Sequence, residues 1–217
     1  MKAVLQQPFE PRKQPRQARS VATVSAVLEG AAQVLEAEGY EKMTTTRVAE
    51  RAGTSVGTLY QYYPSKEAIL VAVMEEKIAR VDRALSSLFA LPASTPLAEK
   101  LRTMITALIA EKAARPRLAA ELSRQAPRLE KLRVIARTLG RAHGIVRALL
   151  EGHTKETTVV DADLAAWLVV HAVNGMVDGA LLGAPERMQD PRFADAIVAH
   201  VLGSLGAKPL PGAKRPR

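Results

Sequence analysis

Apolar residues return every three or four positions between Ser20 and Gly39, at Val24, Val27, Ala31, Val34 and Leu35. This spacing predicts an amphipathic helix capped by Ser20 and stopped by Gly39. Thr44 then suits the cap of a short helix ending before Gly53, and Thr54 or Ser55 the cap of another ending before Pro64. Ser65 suits the cap of a long helix running to about Ala90. The two middle helices have only about two turns each, too few to persist alone in water, so they must pack on the first and fourth.

The helical pattern continues after Pro92. Thr95 and Pro96 form a cap and first-turn pair for a helix whose apolar face carries Met104, Leu108 and Ile109. A short helix fits between Pro116 and Pro127, and the series Leu132, Ile135, Leu139, Ala142, Val146 and Leu149 predicts a long one from Leu129 to Gly152. Residues 153–162 read as a polar loop. Asp161 or Asp163 starts the next helix, which ends at Leu182 before Gly183, and Asp190-Pro191 opens a last one closed by Gly206. No sheet-like alternation competes, so the predicted fold class is all-α.

The segment from Leu164 to Leu182 is apolar nearly all round, which requires cover on two faces. One face is assigned to the chain's own core. The other, with Val169, Val173, Gly175, Met176 and Gly179, is assigned to a second copy, the two glycines permitting close approach; the competing expectation is a fully internal helix of a monomer.

Charge sharpens this picture. The chain carries a formal +9, of which residues 1–20 hold five cations against one anion and residues 207–217 four cations and no anion. The tails therefore carry +8, and the body is close to neutral. Both tails are rich in proline and poor in large apolar residues, so 1–19 is expected to be a disordered basic arm and 207–217 a disordered basic tail. The chain has no cysteine, which removes disulfides and thiolate chemistry and suits a cytoplasmic location. No signal peptide and no uninterrupted apolar segment of membrane-crossing length is expected, hence no membrane partner.

Within residues 20–66 the run AERAGTSVG has the spacing of a helix-turn-helix, with Ala49 small where the helices approach and Gly53 in the turn. Val48, Val56 and Leu59 supply its small core. Val56, Gly57, Thr58, Gln61 and Tyr62 are assigned to the side facing away, Val56 thus being counted on both. Tyr60 and Tyr62 offer an apolar ring with a hydroxyl tip suited to phosphate oxygens, whereas Tyr63, before a proline, suits packing.

The matching run of Gly39-Tyr40, threonines 44–46, Val48-Ala49, Ala52-Gly53, Ser55, GTLYQYY and Lys66-Glu67 resembles the tetracycline-repressor-like (TetR/AcrR) family of bacterial transcription regulators. The resemblance implies an N-terminal three-helix DNA-binding module (20–66) followed by a larger helical ligand-binding and dimerisation domain (67–206). It implies that Thr44 and Thr45 lie near phosphate and Thr46 faces the groove, with Arg47 an additional contact. It further implies that Ser55, Val56, Gly57 and Thr58 open the recognition helix, that Tyr60 and Tyr62 contact phosphate or base edges beside Gln61, which helical geometry already turns to the groove, and that Lys66 anchors a phosphate at a helix N-terminus. Thr54, Tyr62 and Thr46 depart from residues common in the family; the first costs little, and the last, a weakly discriminating side chain, leaves the operator sequence open.

The function implied is a homodimeric repressor of a palindromic double-stranded DNA operator, released by a small-molecule effector, with no cofactor and no metal. Pocket candidates are Met104, Leu108, Leu139, His143, Trp167 and His171. Arg133, Arg137 and Arg141 form a stripe at four-residue spacing that is read as solvated, an anionic effector being the alternative. An enzyme is disfavoured, because His143, His153, His171 and His200 show no recognised ligand or acid-base spacing. The remaining alternative keeps DNA binding on this fold but without an inducer, in a chromosome-organising or partner-regulated role.

Overall fold

A computed structural model describes residues 18–86, 91–125, 127–128 and 134–207, without the side chains of 18–19, 84–86 and 134–138. The described residues are helical and contain no strand. In chain order they form α1 (Ala18–Glu38), α2 (Thr45–Arg51), α3 (Val56–Tyr62), α4 (Lys66–Ser86), α5 (Leu97–Ala114), α6 (Pro116–Arg124), α7 (Val134–Gly152), α8 (Ala162–Gly183) and α9 (Phe193–Ser204). A 3-10 turn at Pro185–Gln189, not anticipated from the sequence, precedes α9.

Several boundaries differ from expectation for identifiable reasons. α1 begins before Ser20, so Ser20 lies within its first turn rather than capping it. Pro96, expected as the first helical residue, keeps an extended ψ of 146 at the cap position, and the Leu97 N–H is taken by Glu156 Oε2 at 3.0 Å. Asp190 accepts from the Arg192 N–H at 2.9 Å in a local turn, which delays α9 to Phe193. The predicted start at Leu129 and end at Ala90 lie outside the described residues, as do 1–17 and 208–217 of the basic tails, while Ala18 and Arg19, expected in the disordered arm, belong to α1.

The chain divides into two compact units. The first comprises residues up to Ile78 together with Arg117–Ile135, so it is discontinuous and larger than the expected 20–66 module. Its core joins Val27, Val34 and Leu35 of α1 and Val48 of α2 to Leu59 of α3 and Ile69 and Leu70 of α4. Leu118 and Leu122 of α6 are part of the same cluster. They lie four residues apart and so share one face of α6, burying it in this unit.

The second unit comprises Ala79–Pro116 and Ala136–Arg217. Leu97, Leu101, Ile105 and Ile109 form one ridge of α5 and meet Val146 and Leu150 of α7, Val170, Val173 and Val177 of α8, and Val198, Val201 and Leu202 of α9. α8 reaches the length and mean hydropathy of a membrane span, although His171, Asn174 and Asp178 interrupt its apolar run. Its composition follows from having one face in this core and a second apolar face exposed.

Gly30 sets how closely α1 and α2 approach. A Cβ there would lie 2.9 Å from the Ala52 nitrogen and 3.1 Å from the Val48 carbonyl oxygen, the two atoms of the hydrogen bond that closes α2. Backbone cannot yield as a flexible side chain would. Gly30→Ala is therefore expected to destabilise the first unit by about 1–3 kcal/mol, read as a lowered urea midpoint, despite the better helix propensity of alanine.

Candidate nucleic-acid interface

Two short helices and a tight turn build the candidate surface. Thr44 caps α2 from an extended backbone, its Oγ1 accepting from the Arg47 N–H at 3.2 Å. Ser55 does the same for α3, accepting from the Thr58 N–H at 3.0 Å, and its hydroxyl also meets Thr58 Oγ1 at 2.8 Å. Between them Gly53 adopts φ 64, a left-handed conformation that costs glycine no steric penalty, and the chain reverses as the Thr54 N–H donates to the Ala49 carbonyl. Val48, Ala49 and Leu59 face inward and are fully buried.

The opposite side carries hydroxyls and an amide. Thr44, Thr46, Ser55, Gly57, Tyr60 and Gln61 are exposed, and Thr45 and Thr58 are half-buried. Thr45 Oγ1 and the Tyr60 hydroxyl lie 3.3 Å apart and link α2 to α3 across this surface. A Cβ on Gly57 would meet only Ser55 Oγ, at 3.8 Å, so the backbone there is open to close approach by a ligand.

Four residues expected at this surface are wholly or partly engaged within the protein itself. Tyr62 is only 8% exposed and belongs to the first unit's core, against 42% for Tyr60. It follows Leu59 by three positions, so a helix that buries Leu59 carries Tyr62 in with it. Val56 is half-buried and packs on the same core. Arg47 is exposed but engaged, its Nη1 paired with Glu38 and donating to the Lys42 carbonyl at 3.2 Å. Lys66 is half-buried with its Nζ 4.4 Å from the centroid of the Tyr40 ring.

The surroundings of Tyr40 were not singled out in the sequence. Its hydroxyl donates to Glu67 Oε1 at 2.9 Å, and its N–H donates to Glu121 Oε1 at 2.9 Å. Burial, reinforced by the bond to Glu67, pushes the Tyr40 hydroxyl up to about 12. Burial and the charges of Glu76 and Glu75 likewise push Tyr63 up to about 12. Burial works against ionised Glu67, but hydrogen bonds from its own N–H, Tyr40 and Ser65 and the charge of Lys66 outweigh it and hold the carboxyl below its usual range.

In the second unit, Met104, Leu108 and Leu139 are half-buried against the core. His143 is fixed to the first turn of α8, its Nε2 lying 3.0 Å from the Asp163 carbonyl and 3.3 Å from Asp163 Oδ1. Trp167 is 49% exposed and stacks on His171 with ring centroids 4.0 Å apart, so both lie on the outer side of α8 rather than within the core. Val169 and Val173, expected at a subunit contact, are instead buried within their own unit. Gly175 and Gly179 are exposed and Met176 half-buried. Arg141 is exposed and pairs with Asp82 at 3.1 Å, whereas the side chains of Arg133 and Arg137 lie outside the described residues. Among the described residues no three of His, Asp and Glu converge as metal ligands would.

Residues 27–73 match the sequence model of the tetR family of bacterial regulatory proteins, and residues 96–203 match that of the tetracyclin repressor-like C-terminal domain. The chain belongs to the TetR family. The A-factor receptor protein of Streptomyces griseus is 37% identical over 67 residues, 31% of this chain and 24% of that one. The HTH-type transcriptional repressor KstR of Mycolicibacterium smegmatis is 37% identical over 79 residues, 36% of this chain and 38% of that one. The match thus spans well under half the length of either relative. The solved structure of the fatty acid degradation regulator FadR of Bacillus halodurans shares the fold, with a TM-score of 0.69 at 23% identity over 90% of this TetR-family chain and 100% of that one.

Two consequences are measurable. Tyr62→Ala is expected to cost about 3–5 kcal/mol of stability, as loss of a buried aromatic ring does, while Tyr60→Ala costs under about 1 kcal/mol, both read from urea midpoints. Tyr63 ionises near 12 when folded and near 10 when unfolded, so its contribution to stability is complete below pH 10 and is lost as pH rises towards 12. Between pH 10 and 12 the wild type is expected to lose stability faster than Tyr63→Phe, by at most about 1.4 kcal/mol per pH unit.

Proposed function

We propose that this chain is a transcriptional repressor that binds operator DNA as a homodimer and is released by a small-molecule effector. The observation that carries DNA binding is the bare hydroxyl- and amide-bearing side of α2 and α3, held on a fully buried core. Thr44 and Thr45 at the start of α2, with Tyr60, offer donors to phosphate oxygens, which position without specifying sequence. Thr46, Thr58 and Gln61 supply groups that discriminate base edges, glutamine pairing with adenine through two bonds and threonine meeting a thymine methyl. Lys66 adds a phosphate contact. KstR, a relative by the shared segment, is named as a transcriptional repressor.

Dimerisation is supported by the outer face of α8. Leu164, Leu168, Ala172, Gly175, Gly179 and Leu182 recur at three- or four-residue spacing and are all exposed, with Leu164 and Leu168 each more than half so. Ala196, Ala199 and Gly203 give α9 a similar exposed row of small residues. An uncovered apolar stripe of this length is a surface for another chain, and small residues let helices approach closely. An effector is supported by the second unit's half-buried Met104, Leu108 and Leu139, which border its core, and by a relative named as a receptor. Release follows if the effector prefers a dimer state in which the two reading heads no longer match the operator.

Selection of binding sites from random duplexes tests the assignment: a palindromic consensus is expected, with Gln61→Ala and Thr46→Ala changing base preference and Tyr60→Ala weakening all sequences alike. No enrichment over random duplexes refutes it. Leu168→Glu buries a charge in the α8 stripe and is expected to convert dimer to monomer by light scattering. The emission of Trp167, the chain's single tryptophan, should shift to the red as the stripe becomes exposed.

A further inference from the structure

Tyr40 lies in the turn after α1, 1% exposed, and every part of it that can bind is engaged. Its N–H donates to Glu121 and its hydroxyl to Glu67, each at 2.9 Å, and Arg128 Nη1 approaches the same hydroxyl at 3.4 Å. Two cations lie over its ring, Lys66 Nζ at 4.4 Å and the Arg128 guanidinium carbon at 4.5 Å from the centroid. Glu121 is itself held by Arg124 at 3.1 Å and Gln125 at 3.1 Å. A ring needed only to fill space would require none of these polar partners.

Lys66 is the residue that gives this arrangement a function. A lysine on the surface must give up rotamer freedom before its ammonium reaches a phosphate, and that ordering opposes binding. An ammonium resting on an aromatic face is already localised, and its N–H groups remain available to acceptors. The ring itself cannot turn away, because Glu67 holds one end of the side chain and Glu121 holds the backbone at the other.

We propose that Tyr40 is a positioning residue for DNA binding, its pinned ring pre-ordering the Lys66 ammonium for a phosphate, and that Glu121 of α6 sets DNA affinity through Tyr40 without itself touching DNA. This rests on the DNA-binding function proposed above. It also gives a sign that charge alone does not. Removing the Glu121 carboxylate raises affinity for a polyanion if only charge matters, and lowers it if Glu121 acts by fixing Tyr40.

The test uses the full chain and its selected duplex, with anisotropy titrations across a salt series and thermal melts confirming that each variant is folded. Lys66→Ala is expected to lower the salt slope by about one per subunit. Tyr40→Leu, which keeps apolar bulk but has no π face, should lose the same slope and bind roughly three- to tenfold more weakly. In the double variant the second change should add nothing, whereas independent effects add. Tyr40→Phe keeps the π face and should keep the slope, but it loses the bond to Glu67 that fixes the ring and should bind about threefold more weakly. Glu121→Ala should bind about threefold more weakly, the cost of freeing one side chain. A folded Tyr40→Leu with wild-type slope, additive losses in the double variant, or tighter binding by Glu121→Ala would each overturn the proposal. If Tyr40→Leu does not fold, the direction of the Glu121→Ala change decides. A wild type that selects no duplex refutes the DNA-binding function along with this proposal, while selective binding indifferent to Lys66→Ala refutes this proposal alone.

Discussion

The arrangement depends on burying one side of two seven-residue helices that cannot hold themselves together. Segments of that length lack the hydrogen bonds to offset the entropy of ordering them, so α2 and α3 exist because Val48, Ala49, Leu59 and Tyr62 enter a core shared with α1 and α4. Gly30 allows α1 to come within backbone contact of the end of α2. That contact and the two hydroxyl caps fix the angle at which the polar side is presented. A surface meant to meet a rigid duplex gains from being set in advance by a packed core, because little ordering remains to oppose binding.

The exposed charges Glu50 and Arg51 of α2 accompany this polar side. Hydroxyls and one amide dominate it, and the guanidinium that sequence places there, Arg47, is drawn back onto Glu38 and the end of α1. Other charged side chains collect around Tyr40, where Lys66, Arg128 and Arg124 are balanced by Glu67, Glu41 and Glu121. Of these cations, Arg124 and Arg128 are paired with Glu121 and Glu41, whereas Lys66 rests on the Tyr40 ring.

The second unit has its own long-range polar ties. Glu156 supplies the missing acceptor at the start of α5, and buried Lys100 meets His153 Nε2 at 3.4 Å while His153 Nδ1 lies 2.7 Å from the Leu149 carbonyl oxygen. Lys112 pairs with Asp178 between α5 and α8. Buried polar groups must find partners, and apart from the local contact of His153 with Leu149 these lie 53 to 66 residues away along the chain. They hold the ends of a bundle whose middle is held by apolar ridges.

Local chemistry was legible in the sequence. Threonine, serine and aspartate before apolar periodicity located the starts of α2, α3 and α8, and Gly53 located the turn, because caps and turns are decided by residues within a few positions of one another. Which apolar face met what was not legible. Tyr62 and Tyr60 have the same chemistry and differ only in phase with Leu59, Val169 and Val173 were as suitable for an outer face as for a core, and nothing near Leu118 announced that α6 packs with residues of the amino-terminal half. Side-chain type and spacing determine that a helix forms and that it has an apolar side. Only the tertiary structure decides what covers that side and which polar groups from remote positions close the gaps, because those contacts are made across distances the local sequence does not record.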